Sequence, residues 1–154
     1  MTLYSDLIDE AVQLAGFQSD GESRPGAGAF EADGLRFGWE ISPDETEAIF
    51  FVSIGELPPD PSAGLCEYLL EQNCLGAQTA GGHIGLYAPT RVLLYSFRAP
   101  LIGTDAAGLA NMLAAFVAKA PAYIRSMQSF SVGVTESTTE STTDMVFSSA
   151  MLWV

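Results

Sequence analysis

The chain has 154 residues and a formal net charge of −13, with six basic residues against 19 acidic ones. That length fits one domain of ordinary size, and the apolar content is enough for a packed core. Six scattered cations cannot form the basic face that nucleic acids and anionic membranes require, so we expect neither kind of partner. No apolar run approaches the roughly 20 residues that cross a bilayer. The N-terminal segment has acids and no basic residue, which is untypical of a secretory signal, and we expect a cytoplasmic protein.

The first half of the chain changes from helical to strand periodicity. Residues 2–15 place apolar side chains at helical spacings and polar ones opposite them, which predicts an amphipathic helix. The glycine-rich segment 18–29 predicts a loop. Strict alternation over 35–41 predicts a strand with one apolar face, and 48–54 predicts a second strand that is apolar on both faces. A short strand near 29–32 precedes this pair.

The second half predicts a helix, two strands and a longer helix. The first of these helices begins with Asp60 as its N-cap and extends to about residue 75. Its predicted inward residues are Leu65, Leu69, Leu70 and Cys74. Strands follow at 83–87 and 91–98. Apolar residues at steps of three and four predict the last helix over 105–128, interrupted in its backbone hydrogen bonding by Pro121.

These elements predict an α+β fold, with an antiparallel sheet of about five strands and three helices in the order α-β-β-β-α-β-β-α. We assign this domain to residues 1–128. Residues 129–154 form an extra C-terminal segment, a Ser/Thr/Glu-rich linker followed by an apolar end. As a hypothesis, the apolar end at 145–154 occupies the protein's own binding groove, or that of a neighbouring copy.

The sequence offers little for catalysis. Cys66 and Cys74, the only cysteines, are predicted to be buried, reduced packing residues. The single histidine, His83, and the single lysine, Lys119, are predicted to be structural or solvated. No phosphate-binding glycine loop and no nucleophile elbow is present. We therefore expect no catalytic residue, no metal and no cofactor, and a small hydrolase is the least favoured alternative.

Several segments resemble one family in order and spacing. The strand ending in Gly-Glu-Leu-Pro at 51–58 is similar to the "G-x-L-P" signature of type III secretion chaperones of the CesT/Tir type. The segment 67–73, which ends in Asn73, resembles their second-helix "LL-x-x-N" motif. The strands at 82–87 and 92–95 and the helix at 109–127 resemble the family's later elements.

The resemblance implies a non-enzymatic homodimer that holds the N-terminal segment of a secreted effector protein in an extended, export-competent state without ATP. The residues expected to bind the effector are Leu3, Leu7, Ile49 and Phe51. The residues expected at the dimer interface are Leu69, Leu86, Val92 and Leu94. The alternative is a partner with the same fold that regulates or stabilises another protein and has no role in secretion.

Overall fold

The computed structural model of the chain describes residues 3–21 and 24–131, with only the backbone of residue 3. Its elements are α1 (Leu3–Leu14), β1 (Gln18–Ser19), β2 (Ala27–Ala32), β3 (Leu35–Ile41), β4 (Glu47–Glu56), α2 (Ala63–Gln72), a 3₁₀ turn (Cys74–Gly76), β5 (His83–Tyr87), β6 (Val92–Pro100) and α3 (Ala106–Ser131). The strands form one sheet in the order β1-β2-β3-β4-β6-β5. The pairs β1–β2, β2–β3 and β3–β4 are antiparallel.

The predicted α+β class is confirmed, and the part of the chain that the structure describes forms six strands in place of about five. The additional strand, β1, has two residues and pairs Gln18 with Glu31 and Ser19 with Phe30. It lies in the segment 18–29, which was predicted to be a loop because of its glycine content. The short strand predicted at 29–32 is present as the longer β2. The C-terminal segment from residue 132 onwards, including the proposed groove-binding end, lies outside the described residues.

The described residues form two compact units, one made of those in 3–52 and 96–118 and the other of those in 53–95 and 119–131. The core of the first unit is a continuous series of aromatic rings. Neighbouring ring centroids in this series lie 5.2–6.4 Å apart. In order, its members are Phe17, Phe30, Phe37, Phe116, Phe97 and Phe50. Contacts of this kind contribute beyond the burial of area alone, so the series fixes strands β2, β3, β4 and β6 against α3 within this unit.

A glycine makes room for the largest side chain of the first unit. Gly28 on β2 is the Cα partner of Trp39 on β3, and the Trp39 indole is only 2% exposed. A Cβ atom built on Gly28 would lie 2.7 Å from Cζ2 of that ring, well inside contact distance. The indole therefore packs directly over the backbone of β2.

Two tyrosines hold a loop in the second unit. The Tyr95 hydroxyl donates to the carbonyl of Thr79 at 2.8 Å, and the Tyr123 hydroxyl donates to the carbonyl of Gln78 at 3.0 Å. Their rings are 4.9 Å apart. The Thr79 hydroxyl donates to the Gly82 carbonyl, which closes the loop on itself. Burial raises the pKa of Tyr95, with a smaller effect from Tyr123, and burial also raises the pKa of Tyr123, with a smaller effect from Tyr68.

Helix α3 is continuous across Pro121 and ends at Ser131. Within the described part of the chain it is the one helix whose length and hydropathy would allow it to cross a bilayer, and 39% of that apolar window is buried. This criterion also selects core helices of soluble proteins. The core-facing residues of α3 are Leu109, Leu113, Phe116, Val117, Ala120, Tyr123 and Met127, each at most 3% exposed.

The predicted orientation of α2 is wrong. Leu65 is buried as expected, but Leu70 is 73% exposed, and both Cys66 and Cys74 are exposed free thiols. Apolar residues occur around more of this helix than a single chain can cover, so periodicity alone did not identify the covered stripe. The N-cap is Ser62 in place of Asp60, and its hydroxyl accepts a hydrogen bond from the Leu65 N–H at 3.2 Å.

Candidate protein-binding surface

Strand β4 has one fully buried face and one face that is partly exposed. Ala48, Phe50, Val52 and Ile54 are at most 2% exposed. The alternate residues Ile49 and Phe51 are half-buried. Because side chains alternate across a strand, these two point to the face opposite the Phe50 ring. The structure thus brings together two of the four residues expected to bind an effector.

The neighbouring strand adds to this surface, which we call the outer sheet face and define by Glu40, Ile49 and Phe51. Glu40 on β3 is the Cα partner of Ile49, and Gly38 is the partner of Phe51. Directly opposed residues share a face, and Gly38 offers no side chain across from the Phe51 ring. Burial raises the pKa of the Glu40 carboxyl. The outer sheet face is therefore a partly dehydrated apolar patch with an acid beside it.

An ion pair lies on the same side of β3. Nε and Nη2 of Arg36 donate to Oδ2 of Asp20 at 3.1 Å and 2.8 Å. Arg36 is two residues from Gly38 and four from Glu40, so all three point to one face. Its Cα partner on β2 is Glu31, which is exposed. Glu47, two residues before Ile49 on β4, pairs with Arg98 on the same face. Four acids thus accompany two cations here, and the local charge favours a basic segment.

The other two residues expected to bind an effector belong to α1. Leu7 is half-buried, next to Ile8, which is fully buried. The side chain of Leu3 is outside the described residues. Leu7 therefore lies on a helix, whereas Ile49 and Phe51 lie on a strand, and its role stays a prediction.

The residues expected at a dimer interface differ in exposure. Leu86 on β5 is 44% exposed, and Leu69 on α2 and Leu94 on β6 are half-buried. Val92 is 0% exposed within the single chain, so its side chain has no free surface to offer a partner. The other three stay predictions.

A second exposed apolar surface was missed by the sequence reasoning. On α2 and the turn after it, Leu70 is 73% and Leu75 is 97% exposed, and the thiols of Cys66 and Cys74 are exposed with them. We call these four residues the α2 face. The signal was the spacing 66, 70, 74, which places the side chains along one side of a helix.

The described residues bring no three His, Cys, Asp or Glu side chains together in a way that could hold a metal ion. His83 lies exposed at the start of β5. The described residues instead provide two surfaces suited to binding. These are the outer sheet face, which is half-buried and apolar with acids beside it, and the exposed apolar α2 face.

One family model matches this chain, and solved structures share its fold. The family model described as "Tir chaperone protein (CesT) family" matches residues 30–123. No curated protein matches the chain. A chain of the HopA1-SchA chaperone–effector complex aligns with a TM-score of 0.62 at 13% identity, covering 79% of this chain and 93% of its own.

Two further structures are similar. One is the Yersinia pestis type III secretion chaperone SycH in complex with a fragment of YscM2, with a TM-score of 0.58, 21% identity, and coverage of 78% of this chain and 98% of that one. The other is the ExoU-SpcU heterodimer from the type III secretion system of Pseudomonas aeruginosa, with a TM-score of 0.58, 16% identity, and coverage of 77% and 93%. At these identities the likeness concerns the fold.

Proposed function

Because this chain belongs to the Tir chaperone protein (CesT) family, we propose that it is a non-enzymatic chaperone that binds the N-terminal segment of a secreted effector in the cytoplasm and keeps it extended for export. The observation that carries the proposal is the outer sheet face, where Ile49 and Phe51 keep apolar surface exposed on a regular strand. An extended chain can lay its own apolar side chains against such a face.

The charge and the similar structures support this proposal. Acids outnumber cations on and beside the outer sheet face, so a segment carrying Lys or Arg among apolar residues fits this surface in both charge and hydrophobicity. HopA1-SchA is a chaperone–effector complex, and SycH was solved with a bound protein fragment. The sequence carries no phosphate-binding loop, which suits a chaperone that acts by binding alone.

We further propose that the protein works as a homodimer through the α2 face together with Leu69, Leu86 and Leu94. Exposed leucines such as Leu70 and Leu75 are costly to leave in water, since each fully buried leucine side chain contributes roughly 1.5–3 kcal/mol. A second copy presents the same apolar surface, so the two α2 faces can cover each other.

The first test is a pull-down from lysate of the source organism with the tagged protein, followed by mass spectrometry of bound chains. One dominant partner, protected from proteolysis over its N-terminal segment, is the expected result. A clean blank while the candidate client is expressed would favour the alternative, a same-fold regulatory or stabilising partner.

A matched pair of variants connects binding to the surface. Phe51→Glu should weaken capture of the client's N-terminal peptide at least about tenfold, equivalent to about 1.4 kcal/mol of binding free energy. Ile102→Glu places the same charge at an apolar residue that is 67% exposed and outside the outer sheet face, and it should leave the affinity within about twofold. Equal losses in the two folded variants would contradict the assignment of the site.

A further inference from the structure

Among the strands of residues 3–21 and 24–131, β5 is at one end of the sheet and its only neighbour is β6. An edge strand presents unpaired N–H and C=O groups, and these can add a strand from another chain. Natural proteins control such edges with charges, prolines, bulges or covering segments. The groups that cover the outer edge of β5 therefore determine which other chains can add a strand to the sheet.

The side chain of Asn73 binds this edge through two hydrogen bonds. The Ile84 N–H donates to Oδ1 of Asn73 at 2.8 Å, and Nδ2 of Asn73 donates to the Ile84 carbonyl at 2.9 Å. A carboxamide has one donor and one acceptor side by side, as a peptide group does. Asn73 thus occupies both backbone groups that a neighbouring strand would use at this residue.

The end of α2 holds Asn73 in place. Asn73 is the C-cap residue, and its N–H donates to the Leu69 carbonyl at 3.3 Å. Its own carbonyl accepts from the Gly76 N–H at 3.5 Å. Its position relative to Ile84 is therefore set by the helix end.

Strand geometry shows which partner would be excluded. In an antiparallel ladder the N–H and C=O of one residue point to the same side, and the next residue's pair points to the other. Because the Ile84 pair binds Asn73, it points away from β6, and so does the pair of Leu86. The outward groups of β5 are thus those of residues 84 and 86, on either side of Gly85.

A second copy of β5 fits these groups with two-fold symmetry. If two copies paired antiparallel about Gly85, Ile84 of each would lie opposite Leu86 of the other. Each of these two opposed pairs would exchange both of its hydrogen bonds. This register needs the Ile84 groups that Asn73 occupies.

We propose that Asn73 is an edge plug, which prevents two copies of the chain from joining their sheets through β5. The proposal is independent of effector binding. It gives a physical role to Asn73, the last residue of the motif at 67–73. The outer sheet face does not involve this motif.

The test compares Asn73→Ala with Gln72→Ala, a control at the preceding residue that leaves both Asn73 hydrogen bonds in place. Amide hydrogen exchange is measured for Ile84 at low protein concentration, and mass is measured by light scattering over a concentration series. Asn73→Ala should exchange the Ile84 amide at least about tenfold faster and show a mass that increases with concentration above that of the unmodified protein. Gln72→Ala should show neither change.

A double variant separates edge pairing from general destabilisation. Leu86→Pro removes an outward N–H that the two-fold pairing requires, in an edge strand where proline is tolerated. Asn73→Ala with Leu86→Pro should therefore return the mass to that of Leu86→Pro alone. The proposal is overturned if the Ile84 amide of Asn73→Ala stays as protected as before, if its mass does not change, or if the double variant associates as strongly as Asn73→Ala.

Discussion

Replacing Gly28 with alanine tests the packing of the first unit most directly. The added methyl carbon would lie 2.7 Å from Cζ2 and 2.8 Å from Cε2 of Trp39. Carbon atoms normally pack at about 3.5–4.0 Å, so the overlap is near 1 Å. The indole is fully buried and cannot swing into solvent, so either the ring or strand β2 must shift. Overpacking of this kind costs about 1–3 kcal/mol.

The expected change in thermal stability follows from that cost. For a chain of this size, 1 kcal/mol lowers Tm by about 2–4 °C, so a cost of about 1–3 kcal/mol should lower the Tm of Gly28→Ala by roughly 2–12 °C. Circular dichroism provides the melting curve, and urea unfolding provides the free energy. Tryptophan fluorescence of the folded variant should shift, since the added methyl contacts the Trp39 ring itself.

Gly85→Ala is the matched control. Gly85 also lies within a strand, and nothing is within 4 Å of a Cβ placed there. Neither glycine has a positive φ, so the two substitutions differ in the neighbouring ring and not in backbone strain. Gly85→Ala should change stability by less than about 1 kcal/mol. Equal losses for the two variants would refute the reasoning, as would a Gly28→Ala protein with unchanged stability.

Three further outcomes are expected. Phe116→Ala removes a ring that contacts both Phe37 and Phe97 in the aromatic series, and it should cost about 3–5 kcal/mol in urea unfolding; a loss below 1 kcal/mol would contradict the series as a core. The pKa values of Tyr95 and Tyr123 are raised in the folded chain, so their contribution to stability is complete below pH about 10 and decreases above it, where only the unfolded chain loses these protons. The free energy of unfolding should decrease from pH 10 to 12, and less steeply in Tyr95→Phe; identical slopes would exclude the tyrosine as the cause. Leu70→Asp should halve the mass measured by light scattering without changing the circular dichroism spectrum, and a dimer persisting at low micromolar concentration would exclude the α2 face as its interface.

The elements with a single clear period were predictable from sequence. The alternation of Phe37 and Trp39 with smaller or polar residues gave β3 with its bounds, and steps of three and four gave α3. An alternating or helical pattern shows which residues face the core, and packing within one chain decides which side of a strand or helix that is. The β4 pair Ile49 and Phe51 was recognisable for the same reason, because its apolar alternation occurs on both faces.

The covered side of α2 was not predictable in this way. Leu65, Leu70 and Cys74 are all apolar, and hydrophobicity does not reveal which of them a neighbouring element covers. Val92 shows the converse, since it was expected at an interface and is buried within its own chain. The contact between Asn73 and Ile84 spans 11 residues of sequence, and it depends on where a helix end meets a strand edge, which no local pattern encodes.

The loop held by Tyr95 and Tyr123 has a practical consequence for following this protein in solution. Both phenols bind main-chain carbonyls, those of Thr79 and Gln78, so the loop's anchorage does not depend on the side chains at its exposed positions. Gln78 is exposed, and it contributes its backbone carbonyl to this anchorage. Position 78 can therefore carry a spectroscopic probe on its side chain while its carbonyl stays bound to Tyr123, so that release of this loop from the second unit could be observed directly.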